Sequence, residues 1–155
     1  MFPVKFSIQE RGATPRGMAR RINGMKKRAW EDTGKFFHTE MRDNRFTHAH
    51  ARAAGYSPRK PKYERRKRKK FGHTYPLQWS GRTRRDVREA RISSTSKGAK
   101  VSYAGARVLN FRNPKSKVNA AVEFATVTQR EADRLAEQYD TTLDGLLRAD
   151  NQENK

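Results

Sequence analysis

The chain has 155 residues, of which 36 are lysine or arginine and 16 are aspartate or glutamate, so its formal net charge is +20. It contains no cysteine, which excludes disulfides, thiolate zinc sites and cysteine nucleophiles. Only 34% of the residues are hydrophobic, against the ~45–50% of a typical compact domain. We therefore expect a single domain, residues 1–155, with a small core.

The charge is unevenly distributed along the chain. Residues 118–155 contain four cations and eight acids, so residues 1–117 hold the other 32 cations and eight acids, a net charge of +24. Nine of the twelve residues in 59–70 are cations. A segment this cationic repels itself in isolation. We expect it to contact nucleic acid, an acidic protein or the acidic end of a neighbouring copy.

The first predicted elements are a short strand and a long helix. Apolar and polar residues alternate over 4–8, which predicts the strand. Thr14 followed by Pro15 is typical of a helix N-terminus, and the helix is predicted to run to about Arg45. Its apolar stripe consists of Met18, Ile22, Met25, Ala29, Phe36, Phe37 and Met41.

Residues 47–76 are predicted to form an extended basic loop. Glycines and prolines punctuate the segment. A helical turn over 63–70 stays open as an alternative, but like charges on every face oppose it. Loops of this length are usually functional or disordered until they bind a partner.

A small antiparallel β-meander is predicted next. Apolar residues over 84–94 indicate a strand, Ser96-Lys97-Gly98 is a hairpin signal, and 99–103 alternate as the return strand. The alternation of residues 118–127 predicts a third strand.

The chain is predicted to end in a helix. Thr128 and Glu131 have the spacing of a capping box, apolar residues then recur at helical spacing, and residues 150–155 are predicted to be a polar tail. Together the elements predict an α+β fold with a long N-terminal helix, a β-meander and a C-terminal helix. No stretch approaches the ~18 apolar residues of a membrane span, so we expect no membrane partner.

The sequence offers no plausible reaction centre. His48 and His50 are two residues apart, and no acidic residue between Asn44 and Tyr63 completes a ligand set. No phosphate-binding loop or nucleophile motif occurs. We expect neither metal nor cofactor, and we expect that the chain is not an enzyme; the missing ligand set also disfavours a small nuclease.

The basic run itself can bind partners. Its cations would release counterions from nucleic acid without reading sequence, and neighbouring aromatic side chains could stack on bases. The same run could equally dock on an acidic protein surface, and charge alone does not separate these alternatives. The candidate contact residues are Arg59, Lys60, Lys62, Tyr63, Arg65, Arg66, Lys67, Arg68, Lys69 and Lys70.

Residues 63–84 resemble a pattern in virion-morphogenesis proteins of tailed bacteriophages, of the tail-completion, neck or head–tail joining type. In that pattern a basic, tyrosine-containing stretch precedes Pro-Leu, a small hydroxyl residue, glycine and a basic-apolar strand. Here the stretch runs from Tyr63 to Gly72, and the motif residues that follow are Pro76, Leu77, Ser80, Gly81, Arg82 and Arg84.

The resemblance implies a structural, non-enzymatic role in the virion, with assembly in the host cytoplasm. Such proteins form rings, often hexameric, between the head connector and the tail tube. The implied partners are further copies, a head connector or adaptor, and tail-tube or tail-terminator proteins, while genome DNA in the lumen stays open. A nucleic-acid-binding protein of ribosomal or nucleoid type remains the alternative. On the last helix, candidates for core or subunit interface include Leu135, Tyr139, Leu143 and Leu146.

Overall fold

The first helix, α1, begins where the sequence predicts. The computed structural model describes residues 14–105, 107–110 and 116–153, so the strand predicted over 4–8 lies outside the described residues. Helix α1 spans Pro15–Phe36, and the Thr14 hydroxyl caps it by accepting the Gly17 N–H at 3.1 Å. The regular α-helix ends earlier than predicted, but a π-helical turn, Phe37–Met41, and a 3₁₀ turn, Asp43–Phe46, continue the chain past the predicted end at Arg45.

The prediction of an extended loop over 47–76 is wrong, because the segment contains two helices. Helix α2 spans His48–Ala53 and helix α3 spans Pro61–Phe71. Proline suits the first position of a helix, and the cations in the last turn of α3 interact favourably with the helix dipole. One face of α3 packs on aromatic side chains, and the exposed charges are screened by solvent, so the packing outweighs the repulsion.

The predicted meander is reduced to a hairpin. Helix α4, Arg82–Asp86, occupies the beginning of the strand predicted over 84–94, and β1 starts only at Arg91. Strand β1, Arg91–Thr95, pairs antiparallel with β2, Gly98–Ser102, around the predicted turn. Among the described residues these two strands are the whole sheet.

The third predicted strand, over 118–127, is also wrong. Residues Ala120–Ala125 form helix α5, and the Asn119 Oδ1 atom caps it by accepting the Val122 N–H at 3.3 Å. A short 3₁₀ turn, Arg107–Asn110, lies between β2 and α5 in the sequence.

The last helix, α6, confirms the capping box. It spans Gln129–Glu153, and the Glu131 carboxylate accepts from both the Thr128 backbone and its hydroxyl, at 3.1 and 3.2 Å. The predicted polar tail over 150–155 is helical as far as Glu153. With its helices and one antiparallel pair of strands, the chain has the predicted α+β fold. In the described part, no helix combines the length and apolar character needed to cross a bilayer.

The core is small and lies where the short elements meet. Helix α1 packs along α6 and across the hairpin, while a separate cluster of buried side chains consists of Phe46, Val87, Leu109 and Phe124. In the predicted apolar stripe of α1, Ala29 and Met41 are buried, but Met18 is 51% exposed. The N-terminal part of that stripe is therefore outside the core.

The four interface candidates on α6 already have neighbours within the chain. The Tyr139 ring lies 4.5 Å from the Trp30 ring, measured between centroids, and Leu135 lines a small cavity beside Trp30. Leu143 and Leu146 are half-buried like the other two. A core role accounts for these contacts, and a role at a subunit interface stays a prediction.

Three glycines give a test of the packing between α1 and the hairpin. A Cβ atom at Gly34 would lie 2.9 Å from the Ile92 Cγ2 atom, whereas a Cβ at Gly24 or Gly145 meets nothing within 4 Å. Because Ile92 is stiff at χ1, we expect Gly34→Ala to lower the free energy of unfolding by about 1–2 kcal/mol. Gly24→Ala and Gly145→Ala should raise it by up to ~1 kcal/mol each, since both lie inside helices.

Urea denaturation of the three variants measures these changes. Equal stabilisation by all three would show that α1 does not approach the hairpin this closely.

Candidate functional site

The surface of α3 that points away from the protein is strongly cationic. Lys62, Arg65, Arg66 and Lys69, which we call the outward face of α3, recur at i, i+3, i+4 and i+7, the spacing of one helix face. The exposed cations of the helix are Lys62, Arg65, Arg66, Arg68, Lys69 and Lys70. No carboxylate of the described residues lies within 4 Å of any of them. Within the described residues, their charge is therefore not neutralised by ion pairs.

Lys67 belongs to the same run but points inward. The residue is 3% exposed, and its ammonium group donates to the Tyr75 carbonyl oxygen. Burial, together with the nearby charge of Arg59, lowers the pKa of Lys67 to about 8, although Glu64 acts in the opposite direction. Lys67 thus fixes α3 to the following loop and is not available for contact with a partner.

Arg59 is likewise occupied within the chain. Its Nη1 atom lies 2.9 Å from the Oε1 atom of Glu123 on α5, and its second terminal nitrogen binds the other carboxylate oxygen. The Ser57 N–H donates to the same Oε1 atom at 2.9 Å. Glu123 is 6% exposed, so this pair anchors the chain just before α3. Lys60, between the anchor and the helix, is exposed.

A series of aromatic rings supports the inner side of α3. Neighbouring ring centroids are 5.1 to 6.2 Å apart, within the range of favourable ring contacts. The Arg66 guanidinium lies 5.1 Å from the Trp79 ring centroid. The series runs through Tyr63, Trp79, Phe71, His73, Tyr75 and His48. These rings make the base on which the basic helix rests.

The first half of the Pro76–Arg84 motif connects this base to the core. Pro76 is buried, and Leu77 packs against the core cluster with a positive φ of 56°, which is rare outside glycine. Ser80 is exposed. Gly81, at φ 81°, precedes α4. These residues position α3 and α4, and none of them adds a cation to the outward face.

The motif arginines are partly engaged by acids. The Arg84 Nη2 atom lies 2.9 Å from the Asp43 Oδ2 atom, and Arg82 is 3.6 Å from Asp86 on the same helix. Desolvation alone would raise the pKa of Asp43, but Arg84 and Arg42 outweigh it and lower that pKa. The ion pair of Arg84 with Asp43 thus connects α4 to the 3₁₀ turn Asp43–Phe46.

An open cleft of about 880 Å³ lies beside α3. Its walls include the apolar side chains of Leu77 and Trp79, and cations from outside the basic run, Arg52 and Lys117, also line it. These two cations carry no signal in the sequence, because both lie outside the basic run and only the fold brings them next to α3.

Sequence reasoning also missed a buried ionic cluster. Arg45 is fully buried and binds Glu131 of α6, and its Nη1 atom also donates to the Met41 carbonyl at 3.2 Å. The His50 Nδ1 atom lies 3.4 Å from the Glu131 carboxylate. Burial, and then the charge of Arg45, lower the pKa of His50. His50 is buried in the core, and the cluster joins the 3₁₀ turn Asp43–Phe46 and α2 to the start of α6.

The described residues contain no group of three or more His, Cys, Asp or Glu side chains placed to hold a metal ion. Comparison of the chain with protein-family models, with curated proteins and with solved structures gave no match.

Proposed function

We propose that this protein is a structural, non-enzymatic subunit of a tailed-phage virion that forms a ring at the head–tail junction, as a tail-completion or neck component. The observation that carries the proposal is the outward face of α3, whose cations have no carboxylate partner among the described residues. Charge of this density is neutralised when it meets an acidic macromolecule. The resemblance over residues 63–84 supports a virion as the setting.

The packing of α3 supports a docking role for this surface. Helix α3 is held in place before any partner arrives. Its contacts are the Arg59–Glu123 ion pair, the hydrogen bond from Lys67 to the Tyr75 carbonyl and the aromatic side chains on its inner side. A preorganised surface loses less conformational entropy on binding. We favour an acidic protein as partner over genome DNA, because a strongly cationic lumen would retain DNA through counterion release.

Sequence-independent nucleic-acid binding is the second candidate. The aromatic side chains beneath α3 favour it. Tyr75 and Tyr63 are 49% and 37% exposed, and Arg66 lies over Trp79. Exposed rings beside cations are the usual platform for unpaired bases.

Charge removal on the outward face tests the proposed function. We expect Lys62→Gln, Arg65→Gln and Lys69→Gln, combined in one gene and supplied to a phage that lacks its own copy, to leave complete heads and tails that do not join. Among the described residues, the cations found over aromatic rings on α3 are Arg66, Lys67 and Lys70. All three are retained, so the base of α3 is kept. Electron microscopy of the lysate distinguishes joined from unjoined particles.

The matched control removes three exposed cations of α1, with Arg20→Gln, Lys27→Gln and Arg28→Gln, and should give joined particles. Normal joining with the α3 variant would refute the docking role. Tight binding of the purified wild-type chain to duplex DNA, falling steeply with salt and lost in the α3 variant, would favour the second candidate.

A further inference from the structure

The side of α6 that faces solvent carries a line of carboxylates. Asp133, Glu137, Asp140 and Asp144, which we call the acidic stripe of α6, recur at i, i+4, i+7 and i+11, and all four are exposed. At 1.5 Å per residue the stripe is about 16 Å long. No cation of the described residues lies within 4 Å of these carboxylates. One of them, Asp133, accepts a hydrogen bond from Gln129 at 2.8 Å.

The acidic stripe and the outward face of α3 complement each other. Each consists of four like charges on one helix face. The outward face, from Lys62 to Lys69, is about 10 Å long and can pair along most of the stripe. Each face lacks an ion-pair partner among the described residues. One chain therefore carries two complementary helix faces, and the described residues of a single copy neutralise neither of them.

We infer that the acidic stripe of α6 in one copy docks on the outward face of α3 in the next copy. The inference rests on the proposed function, because it supplies the contact between ring subunits. In the proposed ring each copy uses α6 on one neighbour and α3 on the other, so the contact is head-to-tail and not a reciprocal pair. A contact of this kind repeats from copy to copy and closes into a ring when its rotation allows.

Helix α1 is a weaker partner for the stripe, although it is also cationic. On the helix face that carries Arg20 and Lys27, the residues between these two cations are Asn23 and Gly24. The exposed cations of α1 are therefore further apart than those of α3. Lys35, near the end of α1, is already paired with Glu31 at 3.0 Å. The outward face of α3 has its four cations closer together, with no uncharged residue between them on that face.

The contact should weaken as salt is added. Single exposed ion pairs stabilise little, so the strength comes from several pairs in parallel and from the two contacts each subunit makes in a closed ring. Raising the ionic strength from about 0.1 to about 1 M shortens the Debye length from ~10 to ~3 Å. The oligomer should dissociate over that range.

Reciprocal charge exchange tests the inference. The first variant, with Lys62→Glu, Arg65→Glu and Lys69→Glu, makes α3 acidic; the second, with Glu137→Lys, Asp140→Lys and Asp144→Lys, makes α6 basic. Like charges then face each other, so we expect each variant alone to be monomeric by size-exclusion chromatography with light scattering. Both sets in one chain, or an equimolar mixture of the two variants, should restore the oligomer.

The matched control changes three exposed cations of α1, with Arg20→Glu, Lys27→Glu and Arg28→Glu, and should keep the oligomer although its net charge changes as much as that of the α3 variant. An oligomer that persists in either single variant, or one lost in the α1 control, overturns the pairing of α3 with α6 and leaves the ring proposal standing. Failure of the combined variant to reassemble, with circular dichroism showing a folded chain, also overturns the pairing. A wild-type chain that stays monomeric overturns both.

Discussion

Replacing Glu131 by alanine is expected to lower the free energy of unfolding by about 3–5 kcal/mol, because it leaves the charge of Arg45 buried without its partner. Arg45 is fully buried, so water cannot replace the lost carboxylate. The substitution also removes the capping box at the start of α6. A loss of this size is a large part of the ~5–15 kcal/mol that stabilises a typical domain. Denaturation in urea, followed by circular dichroism, measures it.

Two further variants show whether the lost stability comes from the Arg45–Glu131 ion pair or from the loss of any carboxylate. Glu40→Ala removes an exposed acid from the turn before Arg45 and should change stability by less than about 0.5 kcal/mol. Arg45→Met combined with Glu131→Leu replaces the pair by apolar side chains and should recover much of the loss. A Glu131→Ala chain as stable as the wild type would mean that Arg45 is not buried.

Stability is expected to rise between pH 8 and about 9.5 because of Lys67. Its pKa is about 8 in the folded chain, below the ordinary value of 10.5. Between these values the folded chain has released the proton that the unfolded chain keeps, so the unfolded state binds more protons and the free energy of unfolding increases with pH. The increase approaches about 1 kcal/mol per pH unit. Above pH 10 the trend reverses, because burial raises the pKa of Tyr103 to about 12.

Matched lysine variants isolate this effect. Lys67→Met should flatten the pH dependence between pH 8 and 9.5, whereas Lys69→Met, two residues away and exposed, should keep the wild-type slope. Urea midpoints measured every half pH unit give the slopes. An identical slope in all three proteins would show that the Lys67 ammonium group is solvated.

Local capping and turn signals predicted the element boundaries that the structure confirms. Thr14 and Pro15 start α1, Thr128 and Glu131 start α6, and the glycine-containing turn before β2 joins the two strands. Each of these signals acts within four residues, so the sequence itself contains both partners of every bond involved.

The errors arose where distant packing decides the structure. Residues 118–127 alternate like a strand, yet in α5 Val122 is 57% exposed while Glu123 is buried. The burial of Glu123 depends on Arg59, 64 residues away, and no local pattern reveals that pair. For α3, the charge run concealed an inner face formed by Tyr63, Lys67 and Phe71.

The candidate site was predicted only in part, because distant packing also decides which of its cations are exposed. The run itself located six exposed cations of α3, but it also included Arg59 and Lys67, whose partners Glu123 and the Tyr75 carbonyl appear only in the fold. The acidic excess of residues 118–155 was visible in the composition. Its arrangement as a stripe required the knowledge that residues 133–144 are helical and which side is exposed.

The mass of the purified full-length chain, measured by light scattering at several salt concentrations, tests most directly whether this cationic surface serves assembly. One copy has a mass of 18.0 kDa. We predict a single species of several copies at about 0.1 M salt that shifts towards one copy near 1 M, as the Debye length shortens. A chain that remains at one copy at the lower salt, or an assembly whose mass does not respond to salt, would contradict the account.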